Sequence, residues 1–149
     1  MQESIKFGKE AREEIKKGVD VLANAVKVTL GAQGRNVLIA NKFGVRQATK
    51  DGVTVAKAVA GTIKDPLQDT GAQMVADVAI KVAEDAGDGT TQASVLTQAI
   101  FSAGIDAINT GCNPVELKRG IDSATKEITK ALKSLSEEVT PDKIKDIAT

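Results

Sequence analysis

Apolar residues in this chain fall first into helical spacing. Between Lys9 and Leu30 they recur at Ala11, Ile15, Val19, Leu22 and Val26, every three or four residues, while Glu13, Lys16, Lys17, Asp20, Asn24 and Lys27 occupy the other side. That pattern predicts an amphipathic helix, with Gly31 as its stop. The spacing then changes. Val37-Leu38-Ile39 is a short β-prone run, Asn41 to Gly44 reads as a turn, and Val45 to Thr49 as a second short strand. Such a hairpin is marginal alone and must pack on helices. Val53 to Ala60 predicts a short helix that Asp51 can cap. Asp65-Pro66 and Asn113-Pro114 both place a capping side chain before a proline, the signature of a helix start.

The first of these two starts opens a helix with Leu67, Gly71, Met74, Val75, Val78 and Val82 on one face and Gly87 as its stop. A further helix runs from about Thr90 to Thr110 on Val95, Leu96, Ala99, Ala103, Ala107 and Ile108. The second start opens one on Leu117, Ile121, Ala124, Ile128 and Leu132, and Thr140-Pro141 opens another close to Thr149. The expected fold class is mainly α, a helical bundle with a small β-hairpin. The abrupt stop inside a new helix reads as a fragment of a longer chain.

Composition narrows the chemistry. With 20 Lys+Arg, 20 Asp+Glu and net charge 0, the chain is no basic nucleic-acid binder acting through bulk charge. Three Phe and no Trp or Tyr leave no stacking platform for single strands. Without His, Ser-His and Cys-His nucleophile pairs and His-ligated zinc are excluded. A single cysteine, Cys112, forms no internal disulfide and reads as a small, partly buried side chain near a turn. No apolar run reaches membrane-spanning length and no signal-peptide core is present, so no membrane partner is expected. A reducing, cytoplasmic compartment is the expectation, with an organelle matrix as the alternative.

Three short stretches can carry chemistry. In Gly87-Asp88-Gly89-Thr90-Thr91, flanking glycines let an anion approach, the following helix offers free amides, and two threonines add hydroxyls. A carboxylate among phosphates needs a hard cation between them, which makes Asp88 a candidate Mg²⁺ ligand. No Lys follows the glycines, so this is not the common phosphate loop. Thr29-Leu30-Gly31-Ala32-Gln33-Gly34 can expose amides at a helix-to-strand turn. Lys50 beside Asp51 at a strand end can hold a phosphate and orient a water. Each stretch has a plainer reading: a capped helix connection, a C-cap turn, and a solvated charge pair.

Taken in order, these pieces resemble the group I chaperonins, the GroEL type. The resemblance runs through Ile5-Lys6-Phe7-Gly8, Ala25 to Gly31, Gly34-Arg35-Asn36-Val37, Thr49 to Val53, Gly71 to Val75, Ala86 to Thr91, and Asn113-Pro114 with Leu117 to Asp122. Each motif is weak; the ordered set over almost the whole chain is specific. It implies an ATP-dependent, protein-folding ring. Residues 1–136 would be the N-terminal half of the nucleotide-binding, ring-contacting equatorial domain, and residues 137–149 the start of the intermediate domain. It further implies ATP and Mg²⁺ as cofactors. Thr29, Leu30 and Gly31 would line the nucleotide pocket, Lys50 would contact phosphate, and Asp51 would orient the attacking water. Asp88 would hold Mg²⁺, with Gly89, Thr90 and Thr91 cradling phosphates. Identical subunits in a ring, a co-chaperonin and unfolded client proteins are the implied partners.

Some positions depart from the family pattern. Ala32-Gln33 stands where the family has Pro-Lys, Gln92 stands for a third threonine, and Gly61 to Asp69 is about two residues longer and differs in sequence. Asn109-Thr110 and Cys112 are also unusual. The chain is several times shorter than the family's, so it is expected neither to hydrolyse ATP usefully nor to fold clients alone. The alternative is a structural, ring-contact helical module that has lost nucleotide use.

Overall fold

Local signals along the chain do set its elements. In a computed structural model, residues 5–40, 46–140 and 143–144 are described. Two compact units divide at residue 110, Met1–Thr110 and Gly111–Thr149. In the first unit the order is α1 (Gly8–Lys27), β1 (Val37–Ala40), β2 (Arg46–Thr49), α2 (Gly52–Val59), α3 (Pro66–Ala86) and α4 (Thr90–Asn109). The second holds α5 (Pro114–Leu135). The expected class, mainly α with a small β-hairpin, is the observed one. Among the described residues no helix is long and apolar enough to cross a membrane.

Capping follows the sequence closely. Asp65 accepts from the amides of Leu67 and Gln68 with Pro66 behind it, and Asn113 accepts from Val115 and Glu116 ahead of α5. Gly87 ends α3 in the left-handed conformation at φ 75°. Helix α1 stops at Lys27, three residues before the expected Leu30. The chain leaves it as a tight turn in which Thr29 N donates to Val26 O and Leu30 N to Lys27 O, and Gly31 takes φ 73°. β1 and β2 pair antiparallel from Val37↔Thr49 to Ala40↔Arg46. The expected turn from Asn41 to Gly44 and the start of the second strand at Val45 lie outside the described residues, as does most of the helix expected from Pro141.

The core of the first unit joins Val19, Leu22 and Val26 of α1 to Val55 and Ala56 of α2 and Ala72, Val75, Ala76 and Ala79 of α3. Helices α1 and α3 cross at backbone contact. A Cβ on Gly18 would overlap the carbonyl oxygen of Gln68, and one on Gly71 would overlap that of Ile15. Two glycines, one on each helix, therefore set the closest approach. The α1–α4 seam is polar: Arg12 Nη2 donates to Asn109 Oδ1 at 3.0 Å, Asn109 Nδ2 to Glu13 Oε1 at 3.0 Å, and Gln98 Nε2 to Asp20 Oδ1 at 2.7 Å.

Three expected burial assignments are corrected. Met74 is 48% exposed, because close helix crossing selects the smaller Ala72, Ala76 and Ala79 on α3. On α4 the buried positions are Thr91, Ser94 and Ile105, whereas Leu96 is 59% exposed. Ser94 is tolerated inside because its hydroxyl donates to Thr90 O at 2.8 Å. Cys112 is exposed, not partly buried. Helix α5, taken by itself, carries its apolar stripe at the expected positions and buries none of its residues.

Candidate functional site

Three connections in the first unit end at the same place. The turn after α1 supplies Thr29, Leu30 and Gly31; the β2–α2 junction supplies Lys50, Asp51 and Gly52; the α3–α4 turn and first turn of α4 supply Asp88, Thr90, Thr91 and Gln92. Together they line a cavity of about 300 Å³. Segments up to about sixty residues apart thus share one polar recess. Of the residues to which the resemblance gives a role, Gly89 alone does not line it; Gly87 and Ala32 to Gly34, from the same stretches, do not line it either. Gly89 is instead the N-cap of α4, at φ 88°.

The α3–α4 turn is built on two left-handed glycines, Gly87 and Gly89, with Asp88 between them. Asp88 Oδ1 accepts from Gly89 N at 2.7 Å. Among the described residues no hydrogen bond reaches its other oxygen. Because Gly89 has no capping side chain, the amides of Thr90, Thr91 and Gln92 have no acceptor within α4; the first helical bond is Ala93 N to Gly89 O at 2.9 Å. These donors and the helix dipole favour an anion at this end.

Asp51 is the N-cap of α2. Its Oδ1 accepts from Val53 N and its Oδ2 from Thr54 N and the Thr54 hydroxyl. The Thr54 hydroxyl, then the two amides and nearby Lys57, hold its carboxyl below the usual aspartate value, so it is ionised at neutral pH. Lys50, the preceding residue, brings a cation to the same recess.

Two of the lining residues, Thr29 and Thr91, form a buried hydroxyl pair. Thr29 Oγ1 donates to Val26 O at 2.8 Å and lies 3.1 Å from Thr91 Oγ1. A carbonyl only accepts, so Thr29 has spent its proton there, and Thr91 donates to Thr29. The Thr91 hydroxyl is thus a strut between α4 and the turn that follows α1, while the Thr90 hydroxyl has no protein partner among the described residues. Gly52, the last residue of the Thr49-Lys50-Asp51-Gly52 stretch, and Gln92 also line the cavity, although the sequence gives neither a role. Gly52 reads in sequence as an ordinary turn glycine, and Gln92 is visible there only as a departure from the family's threonine.

The residues present fit a nucleotide with Mg²⁺. Among the described residues no group of three or more His, Cys, Asp or Glu could hold a metal ion. Mg²⁺ usually needs only one or two carboxylates and completes its shell with phosphates and water. Asp88, with one uncommitted oxygen beside unpaired amides, is such a donor set.

Comparison with known proteins agrees with the fold. The TCP-1/cpn60 chaperonin family matches residues 22–149. A group III chaperonin, solved in its open state, is 27% identical and superposes with a TM-score of 0.74 over 87% of this chain and 25% of its own. The chain therefore spans about a quarter of the length of that relative. The likeness gives the equatorial-domain-like bundle and does not single out the group I type. On its sequence match and its fold, this chain belongs to the TCP-1/cpn60 chaperonin family.

Proposed function

We propose that the cavity binds ATP with Mg²⁺, and that the chain serves an ATP-driven, protein-folding chaperonin of the group I type. The observation that carries this reading is the convergence of Thr29–Gly31, Lys50–Asp51 and Asp88, Thr90 and Thr91 on one polar recess. In it Asp88 holds the metal, and the first-turn amides of α4, Lys50 and the Thr90 hydroxyl hold phosphate oxygens. Asp51, ionised and fixed by its capping bonds, orients a water for attack on the terminal phosphate. Mg²⁺, when bound, neutralises charge developing on the phosphate oxygens. This is positioning and electrostatic catalysis, which calls for no covalent intermediate on the protein.

Residues 1–136 are assigned to the N-terminal half of an equatorial domain and residues 137–149 to the start of an intermediate domain. The match covers only 25% of the chaperonin's chain, so turnover and client folding are assigned to a complete ring with identical subunits and a co-chaperonin. A reducing cytoplasm or organelle matrix suits a chain with one cysteine. One observation favours a second reading, a ring-contact module that no longer uses nucleotide: both Asp51 oxygens already serve as a helix cap.

An amide NMR titration with Mg²⁺ and a non-hydrolysable ATP analogue separates the two. Nucleotide binding predicts shifts clustered at Gly31, Asp51 and Gly87 to Thr91. Dispersed peaks that stay in place favour the structural module.

A further inference from the structure

We propose that Gly52 is a positioning residue of the cavity, acting through the Thr91 hydroxyl; the effect on ligand rests on the nucleotide reading above. Helix α2 begins at Gly52, directly against the first turn of α4. A Cβ built on Gly52 would overlap Thr91 Oγ1 and lie 3.1 Å from Thr90 Oγ1 and 3.3 Å from Val26 Cγ1. The backbone makes no such demand for glycine, since Gly52 is not among the residues with positive φ. The requirement is steric, and it is aimed at the hydroxyls of two residues that line the recess.

Thr91 has little room to give way. It is 8% exposed, and its hydroxyl is the donor in the relay from Thr91 to Thr29 to Val26 O. That relay ties the turn bearing Leu30 and Gly31 to the amides of α4. A methyl group at position 52 forces the Thr91 side chain to another rotamer and breaks the strut. The two walls of the cavity then lose their fixed spacing, while the caps of α2 and α3 remain. Gly52 thus sets the width of the recess through Thr91, with no side chain of its own.

The test is a cycle of Gly52→Ala, Thr91→Ala and the double variant, each titrated with Mg²⁺ and a non-hydrolysable ATP analogue. Thr91 χ1 in the ligand-free wild type and Gly52→Ala is read from three-bond couplings. Gly52→Ala is expected to bind roughly tenfold more weakly and to show a shifted Thr91 rotamer. In the Thr91→Ala background the same substitution is expected to cost less than about twofold, because the obstructing oxygen is gone. An unchanged rotamer, or an equal loss in both backgrounds, overturns the proposal. If Gly52→Ala does not fold, the double variant decides: recovery of folding supports the clash with Thr91, and failure to recover overturns it. If the wild type binds no nucleotide, the nucleotide reading falls, and the rotamer measurement alone decides whether Gly52 positions Thr91.

Discussion

Replacing Gly18 by alanine puts the α1–α3 contact to a direct test. In an exposed helix interior, glycine to alanine stabilises by about 0.5–1 kcal/mol, through lower chain entropy and better propensity. At Gly18 the added Cβ would overlap the carbonyl oxygen of Gln68 and lie 2.9 Å from its Cα. Backbone cannot rotate aside as a side chain can, so the two helices must separate. Their contact includes Val19 and Leu22 against Ala72 and Val75, and opening it forfeits dispersion along the whole seam. Overpacking of this kind typically costs about 1–3 kcal/mol, and a backbone obstacle belongs at the upper end. After the propensity gain, a net loss of about 2 kcal/mol is expected. For a unit of about 110 residues that corresponds to a drop in Tm of roughly 9 °C. Gly120, inside α5, is the matched control: no atom lies within 4 Å of its built Cβ. Gly120→Ala is expected to raise the stability of its helix by about 0.5–1 kcal/mol. Thermal and urea denaturation followed by circular dichroism give both values. Gly18→Ala at or above wild-type stability would refute the close-crossing argument.

Other perturbations have equally definite signs. Leu22→Ala, at a fully buried position, is expected to cost about 2–5 kcal/mol in urea unfolding, whereas Leu96→Ala on the exposed side of α4 stays within about 1 kcal/mol. Asp65→Ala removes the acceptor for two amides of α3 and is expected to cost about 1 kcal/mol, with Asp65→Asn recovering most of it. Glu14 accepts from Gln68 and Lys17, which with Lys6 pull its carboxyl from 4.5 to about 2. A carboxyl lowered on folding contributes stability that is fully present above its ordinary value and is lost as pH falls toward the folded one. The Tm difference between wild type and Glu14→Gln is therefore expected to be constant above about pH 5 and to shrink between pH 4.5 and 2. A difference that grows on acidification would contradict the assignment.

What the sequence made legible follows from how local each signal is. Asp65-Pro66, Asn113-Pro114 and Gly87 act through neighbours within one helical turn, and all three behave as read. The α1 face is also clear, because Val19, Leu22 and Val26 leave only one side to bury. On α4 the same reasoning holds in part: Val95, Ala107 and Ile108 are half-buried, whereas Leu96, Ala99 and Ala103 are exposed. Apolar Leu96 lies outside and Ser94 inside, since a hydroxyl bonded to its own helix can occupy a space too tight for leucine. Met74 was misread for the same reason: close crossing of α1 and α3 selects alanines, and that closeness depends on Gly18 and Gly71 meeting backbone far away in sequence. The candidate site divides along the same line. Asp51, Asp88 and the flanking glycines can be picked out as turn residues. Their meeting with Thr29, the donor direction of the Thr91 hydroxyl and the role of Gly52 exist only once the three connections are folded together.

The central claim is that Asp88 and the α4 amides bind a nucleotide through Mg²⁺. It is tested most directly by isothermal titration of the chain with a non-hydrolysable ATP analogue, with Mg²⁺ and again with excess chelator. Wild type and Asp88→Ala are compared after their Tm values have been matched. The account predicts saturable binding by the wild type that requires Mg²⁺ and is abolished in Asp88→Ala. Binding unaffected by chelator and by Asp88→Ala, or a folded wild type that gives no heat of binding, would contradict it.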